Sequence, residues 1–418
     1  MKKIKRIIVV VESIDINDSS GSKANVALIK NLYLIGFIVK VYHYTRKDIK
    51  IKDVDCIQIP EKKYNLLYVL SRSQRLIQRH FKINLANFFE SIFGFSFTFF
   101  NDTNSIKECL ENVDNLEYDF ILTLSKGASF RPHYAILKSP KFHKKWIAYI
   151  HDPYPFHYYP KPFQYDEPGY KLKVKFFKNL SEKASFSAYP SEMLKSWMID
   201  KFPNFKKGPF VIPHQHLVIE TLKNVRFPDY FDNKKFTILH AGSLLNERSP
   251  KGLIEGFNLF LKNNVTAKLN TKLILLGNVN KHQSMIKEFE KKSKELYCSY
   301  GNVNYETVNF LQNQASVNVI LESKAKISPF LPGKFPHCVL TNRPILLLSP
   351  KNSESNRLLG KDYLYSTEVD NVASIANKIQ LLYNDWVIKN GQLFLDRKDL
   401  QYYFSKEHLL EIMSSIKN

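Results

Sequence analysis

Short apolar runs punctuate the chain. Each is followed by a polar loop and then by a stretch whose apolar residues recur three and four apart. Ile4–Val11 is the first run and predicts a buried strand that ends at Glu12. Residues 12–23 are polar and include Ser19, Ser20 and Gly21. Between Ala24 and Ile35, Val26, Leu28, Ile29, Leu32 and Ile35 share one helical face, and Gly36 stops the helix. Phe37–Tyr44 predicts the next strand. Strand, loop, helix and strand at this spacing make a βαβ unit, hence a parallel sheet with its ligand crevice at the carboxyl ends of the strands.

The alternation continues through Asp119–Leu124, Lys145–Ile150 and Phe186–Tyr189 as strands, residues 191–198 as a helix, and 209–213 as the close of the first half. Residues 214–235, opening with His214, Gln215 and His216, read as a linker. The second half predicts strands from Phe236, over Lys272–Leu276, Val317–Leu321, Pro344–Leu348 and Tyr363–Tyr365, with helices over 282–296, 370–385 and 406–417. Two α/β domains follow, 1–213 and 214–399, with the last helix, about 400–418, rejoining the first. Residues 62–117 break the pattern. Phe81, Phe88, Phe89, Phe93, Phe95 and Phe99 belong to an aromatic block preceded by Arg72, Arg75, Arg79 and Lys82. Such a block reads either as a helix packed in its domain's core or as a basic, aromatic face for a membrane interface.

Composition narrows the setting. The 418 residues carry 61 Lys+Arg against 39 Asp+Glu, a net charge of +22, which points to an anionic partner. The charge is spread along the chain without an RNA-binding signature, so nucleic acid is not expected. Cys56, Cys109, Cys298 and Cys338 lie far apart, which suits reduced thiols and a cytoplasmic protein, with a peripheral position on a membrane's inner face as a further expectation. Five apolar residues, Ile7 to Val11, are too few for a signal-peptide core.

Candidate chemistry concentrates in 236–252, FTILHAGSLLNERSPKG. Ala241, Gly242 and Ser243 end a strand on small residues that let a ligand approach the backbone. Arg248 and Lys251 make the loop cationic before a helix begins. A helix N-terminus favours anions, and an Arg fork can take two phosphate oxygens. The plain alternative is an ordinary turn with a solvated Arg. Gly333 and Lys334 offer a second phosphate contact. His151 stands just past a strand and can bind a hydroxyl, carry a proton or simply be a surface residue. His133 and His157 read as structural. His214 and His216 lack an evident third ligand, so no metal is expected.

In this order the motifs resemble the retaining glycosyltransferases of family 4. Val211-Ile212-Pro213-His214 resembles the family's V-I-P-N-G linker, and Gly242 to Arg248 resembles its G-R-L-x-x-x-K diphosphate signature. Leu331-Pro332-Gly333-Lys334 through Pro344 is similar to L-P-S-K-x-x-E-Y-x-x-x-G-K-P. The resemblance implies the GT-B fold, two Rossmann-like parallel-sheet domains facing a central cleft, with the nucleotide-sugar held by the second. It implies His151 as the crevice histidine that contacts donor sugar or orients acceptor. The donor would meet Gly21, Gly242, Ser243, Arg248 and Lys334. Departures are plain: Ser243 replaces the signature Arg, and Pro329 and His337 stand where the family's E-x7-E pair would be. His337 would then face the ribose, with Glu354 as a substitute carboxylate. The expected activity is metal-independent, cofactor-free, retaining transfer from a nucleotide-sugar to a glycan or lipid-linked glycan, with an anionic membrane surface as a further partner. The alternative is a GT-B-like protein that binds glycan or nucleotide without turnover.

Overall fold

The structure is a computed structural model and describes residues 5–82, 85–216 and 226–416. The chain divides into two compact units. One comprises Met1–Tyr159, Phe163–Leu217 and Phe404–Asn418, and the other Pro160–Pro162 and Val218–Tyr403. Of the expected linker 214–235, residues 217–225 lie outside the described residues.

The first unit contains β1 (Arg6–Val11), β2 (Ile38–His43), β3 (Asp55–Gln58), β4 (Phe120–Leu124), β5 (Trp146–Tyr149), β6 (Phe186–Tyr189) and β7 (Pro209–Val211). They pair in the order β3-β2-β1-β4-β5-β6-β7, all parallel. Ile7 to Val11 are all 1% exposed or less, which explains the unbroken apolar run: a central parallel strand is covered on both faces. Burying each such side chain contributes about 2 kcal/mol. The connecting helices are α1 (Ser20–Leu34), α2 (Leu66–Phe81), α3 (Leu85–Phe93), α4 (Phe97–Cys109), α5 (Arg131–Leu137), α6 (Tyr170–Lys183) and α7 (Glu192–Lys201).

The second unit contains β8 (Phe236–Ala241), β9 (Thr271–Leu276), β10 (Leu296–Cys298), β11 (Val317–Leu321), β12 (Ile327–Ser328), β13 (Ile345–Leu348), β14 (Asn352–Ser353) and β15 (Ser366–Thr367). Its main sheet runs β10-β9-β8-β11-β13-β15, again parallel, and β12 pairs with β14 separately. Its helices are α8 (Lys251–Asn263), α9 (Gln283–Glu290), α10 (Tyr305–Gln314), α11 (Phe335–Leu340), α12 (Glu354–Leu359), α13 (Val372–Ile388) and α14 (Lys398–Tyr403). The chain then returns to the first unit, where α15 (Lys406–Ser415) packs along α1 and Lys5 Nζ donates to the Met413 carbonyl at 3.4 Å.

Several expected elements shift for local reasons. Gly21 lies inside α1 and not in a loop, because the Ser19 hydroxyl caps the helix by accepting from Ser22 N at 3.0 Å. The helix expected over 282–296 stops at Glu290. A turn closed by Ser293 Oγ donating to Glu295 (2.8 Å) follows, and then β10. The strand expected at Tyr363–Tyr365 forms at Ser366–Thr367. The Tyr363 hydroxyl, at 2.8 Å from Ile345 O and 3.0 Å from Ile345 N, puts its side chain where backbone pairing was expected. The aromatic block splits: Phe95 and Phe99 stack in the core with ring centroids 4.1 Å apart, while Phe81, Phe88 and Phe93 are exposed.

Candidate active site

Both sheets reverse their strand order at one place, the kind of point at which open parallel sheets take ligands beyond the carboxyl ends of their strands. In the second unit this switch lies between β8 and β11. Gly242 and Ser243 follow β8, and Glu322 follows β11. The turn needs its glycines. Gly242 has φ +143°, and a Cβ on Gly277, at the end of β9, would stand 2.6 Å from the Gly242 carbonyl oxygen.

The cations expected for a diphosphate meet at this turn. A Cβ on Gly242 would lie 3.8 Å from Lys334 Nζ, and Arg248 Nη1 donates to the Ser243 carbonyl at 3.3 Å. Lys334 Nζ and Arg248 Nε are both sealed from solvent without a hydrogen-bond partner. Burial, reinforced by Arg248, lowers the Lys334 amine to about 7, against weaker upward pulls from Cys338 and Glu322. Burial also lowers the Arg248 guanidinium, which Glu322 opposes. Glu322 is buried and its carboxyl is pushed up by that burial. It accepts from Ser328 Oγ, and its Oε1 has no partner. Two buried cations thus face one buried carboxylate, and a buried polar group without a partner is costly unless a ligand or water satisfies it. Such an arrangement can accept an anion.

His240, on β8, joins this cluster. It is fully buried with neither ring nitrogen partnered, and burial followed by Lys334 and Arg248 holds it neutral. Neither His240 nor Glu322 emerged from sequence reasoning. The signal was a lone histidine inside the apolar run FTILHA and a carboxylate directly after a buried strand.

The remaining donor-side expectations fare differently. His337 sits on α11, one turn past Lys334, and its Nε2 pairs with the Tyr305 hydroxyl. Glu354 is fully buried, and Arg357 holds both of its oxygens at 2.7 and 3.0 Å, so its carboxylate is already engaged within α12.

In the first unit the switch lies between β1 and β4. Glu12, just past β1, accepts from Lys126 N at 3.1 Å, Arg131 Nη1 at 2.9 Å and Ser129 Oγ. Arg131 Nε also donates to Asp102 at 2.9 Å, which accepts from Tyr44 OH at 2.8 Å. This network fixes the loop after β4. A Cβ on Gly21 would stand 3.4 Å from the Gly127 amide nitrogen in that loop, so Gly21 contributes close packing there.

His151 follows β5 in the same unit. It is buried, its Nε2 has no partner, and its ring packs on Tyr149 and His214 at centroid distances of 4.5 and 6.1 Å. Burial drives its pKa well below 6.5, and His214 and His133 push the same way. Burial takes His214 to about 4 and His133 to about 3. His133 is structural, with Nε2 at 3.0 Å from the Tyr149 carbonyl. Asp152, the next residue, has its carboxyl raised to about 6 by burial and was not anticipated. Among the described residues no group of three His, Cys, Asp or Glu is placed to hold a metal ion.

No protein-family model matches the sequence, and no curated protein matches it either. Solved structures match it nearly end to end. A glycosyltransferase from Rickettsia africae ESF-5 is 13% identical with a TM-score of 0.62, over 99% of this chain and 97% of that one. The trehalose-6-phosphate synthase OtsA is 10% identical with a TM-score of 0.65, over 99% and 100%. HepE from Anabaena, solved with UDP and glucose, is 11% identical with a TM-score of 0.57, over 99% and 100%. The fold is GT-B. At the switch point of the second unit the chain places Lys334 Nζ, Arg248 Nε and Glu322 Oε1 without hydrogen-bond partners.

Proposed function

We propose that the protein is a retaining, family 4-type glycosyltransferase that moves a hexose-type sugar from a nucleotide-sugar to a glycan or lipid-linked glycan. The observation that carries the reading is the pair of sealed, unpartnered nitrogens, Lys334 Nζ and Arg248 Nε, at the glycine turn of the second unit. In transfer the bond between the anomeric carbon and the diphosphate oxygen breaks, and its electron pair leaves with the diphosphate. An acceptor hydroxyl forms the new bond on the face just vacated and gives its proton to the departing phosphate. Arg248 and Lys334 stabilise the developing charge, which removes the need for a metal or another cofactor. His151, neutral and with Nε2 bare, takes a hydrogen bond from a sugar hydroxyl of donor or acceptor. HepE, a structural neighbour solved with UDP and glucose, lends the donor class. The proposed location is cytoplasmic, peripheral on a membrane's inner face.

One set of observations favours a second reading, nucleotide or glycan binding without turnover. Ser243 replaces the signature Arg, His337 the ribose carboxylate, and Glu354 is committed to Arg357. Release of nucleoside diphosphate separates the two. With EDTA present and UDP-, GDP- and ADP-sugars offered alongside a mixed glycan acceptor, one donor should yield free diphosphate. His151→Ala should abolish release while nucleotide affinity stays within about twofold. Tight nucleotide binding with no release from any donor would select the non-catalytic reading.

A further inference from the structure

Helix α2 is built inside out. Its buried residues are the polar Ser71 and Gln74. Leu66 is 73% exposed, Leu76 54% and Phe81 69%, with Val69 and Ile77 also exposed. At 100° per residue these five fall within an arc of about 140°, and Arg72, Arg75 and Arg79 run along one edge of it. The inward side is held by polar contacts: Asn65 Nδ2 to Asn101 Oδ1 at 2.8 Å and Arg75 Nη2 to Thr98 Oγ1 at 2.9 Å. Helix α3 buries no residue at all, and Phe88, Ile92 and Phe93 are exposed. From Lys62 to Phe89 the sequence has six Lys and Arg and no Asp or Glu.

We propose that the outward apolar face of α2 and α3, with its basic edge, docks the protein on an anionic lipid bilayer. Helices that lie in a membrane interface combine an exposed apolar face with Lys and Arg on its border. The charge selects this occupant. Lys62 pairs with Glu108 and Arg72 with Glu61, but the other four cations leave the face positive. A second copy of the chain would therefore bring like charge against itself, and a nucleic acid would leave the leucines and phenylalanines uncovered. The docking face is also joined to the loop after His151. A Cβ on Gly169 would stand 2.1 Å from the Glu90 carbonyl oxygen, so α3 and the start of α6 touch backbone to backbone. Lys173 pairs with Glu90 at 3.2 Å and Glu167 at 2.5 Å, and Glu167 accepts from Phe156 N at 3.1 Å. On the transferase reading, this continuity brings a lipid-borne acceptor to the His151 side. The docking itself does not depend on turnover.

The test is co-sedimentation of the full chain with vesicles of phosphatidylcholine alone or of equal parts phosphatidylcholine and phosphatidylglycerol, with no substrate present. Binding should favour the anionic vesicles at least tenfold and weaken as salt rises. The double variant Phe81→Ser with Phe88→Ser should lose at least tenfold in vesicle binding while keeping the wild-type melting temperature. Arg79→Gln with Lys82→Gln should lose at least tenfold on anionic vesicles only. Equal binding to both vesicles, no binding to either, or binding unchanged in both variants would overturn the proposal. So would a concentration-dependent dimer that the double Phe variant dissolves, because a second copy would then cover the face. Because no donor or acceptor is used, failure here is distinct from failure of the transferase reading.

Discussion

Lys334 sets the most distinctive behaviour at the scale of single residues. Its amine falls from 10.5 to about 7 because burial and Arg248 both disfavour the ammonium. The folded pKa lies below the unfolded one, so the unfolded chain binds the extra proton. Holding the charge therefore destabilises the ligand-free protein below about pH 7, and the penalty is relieved as pH rises from 7 toward 10.5. Lys334→Met should accordingly raise the melting temperature at pH 6 in the absence of nucleotide. A diphosphate reverses the balance by favouring the ammonium, so binding above pH 7 must take up a proton. Nucleotide affinity should fall by up to about tenfold per pH unit above pH 7, with close to one proton absorbed in calorimetry across buffers of different ionisation enthalpy. Lys334→Met should bind more weakly and lose the slope. A flat pH profile in the wild type would show that this amine does not meet the phosphate. The residues that act here were unevenly legible in the sequence. Arg248 and Lys334 carry charge in loops after strands, which pattern alone can flag. His240 sits inside an apolar strand, and only the fold shows that it faces two cations. Glu354 illustrates the converse: its position suggested a ligand contact, but Arg357, one turn on, had already taken both oxygens.

At the scale of elements, the strand-end turns do the positioning. The Gly242–Ser243 turn leans on Gly277 of the neighbouring strand end, where no side chain fits. A Cβ there meets the Gly242 carbonyl at 2.6 Å and Ser243 N at 3.0 Å, on a backbone at φ +134°. Gly277→Ala should cost on the order of 2 kcal/mol in unfolding free energy and weaken nucleotide binding several-fold, because the turn must shift. Gly301→Ala, whose Cβ would have its nearest neighbour at 3.9 Å, should leave both unchanged. Parallel denaturant melts and nucleotide titrations of the two variants would decide this. Equal behaviour would mean that the turn tolerates displacement. Elements at the sheet centres were readable because apolar runs such as Ile7–Val11 must be covered on both faces. The edges were not. β3 and β10 are short, only partly buried in places, and continuous with charged loops, so tertiary pairing and not local pattern makes them strands.

At the scale of the whole molecule, each unit is a parallel sheet that reverses its order once. At the reversal of the second unit lie polar atoms without protein partners, whereas at that of the first Glu12 is fully engaged and the unpartnered His151 follows β5. Repeated βαβ units made the two sheets foreseeable from sequence, and the nearly full-length structural likenesses place them in the GT-B fold. The aromatic block resisted because Phe95 and Phe88 share a composition but differ in what lies behind them. One stacks on Phe99 in the core and the other projects outward. Pattern alone could not decide between core and interface, since an amphipathic helix reads the same whichever way it faces.

On the proposed function, the buried cations of the second unit form a nucleotide diphosphate site that needs no metal. Its most direct test is a thermal-shift titration of the wild type and Arg248→Ala with UDP, GDP, ADP and CMP in EDTA. Melting temperature should rise saturably with one nucleotide class. In Arg248→Ala affinity should drop at least tenfold, as expected for losing a charge-assisted contact of about 1.5–3 kcal/mol. No shift with any nucleotide at millimolar concentration, or a shift that survives Arg248→Ala undiminished, would contradict it.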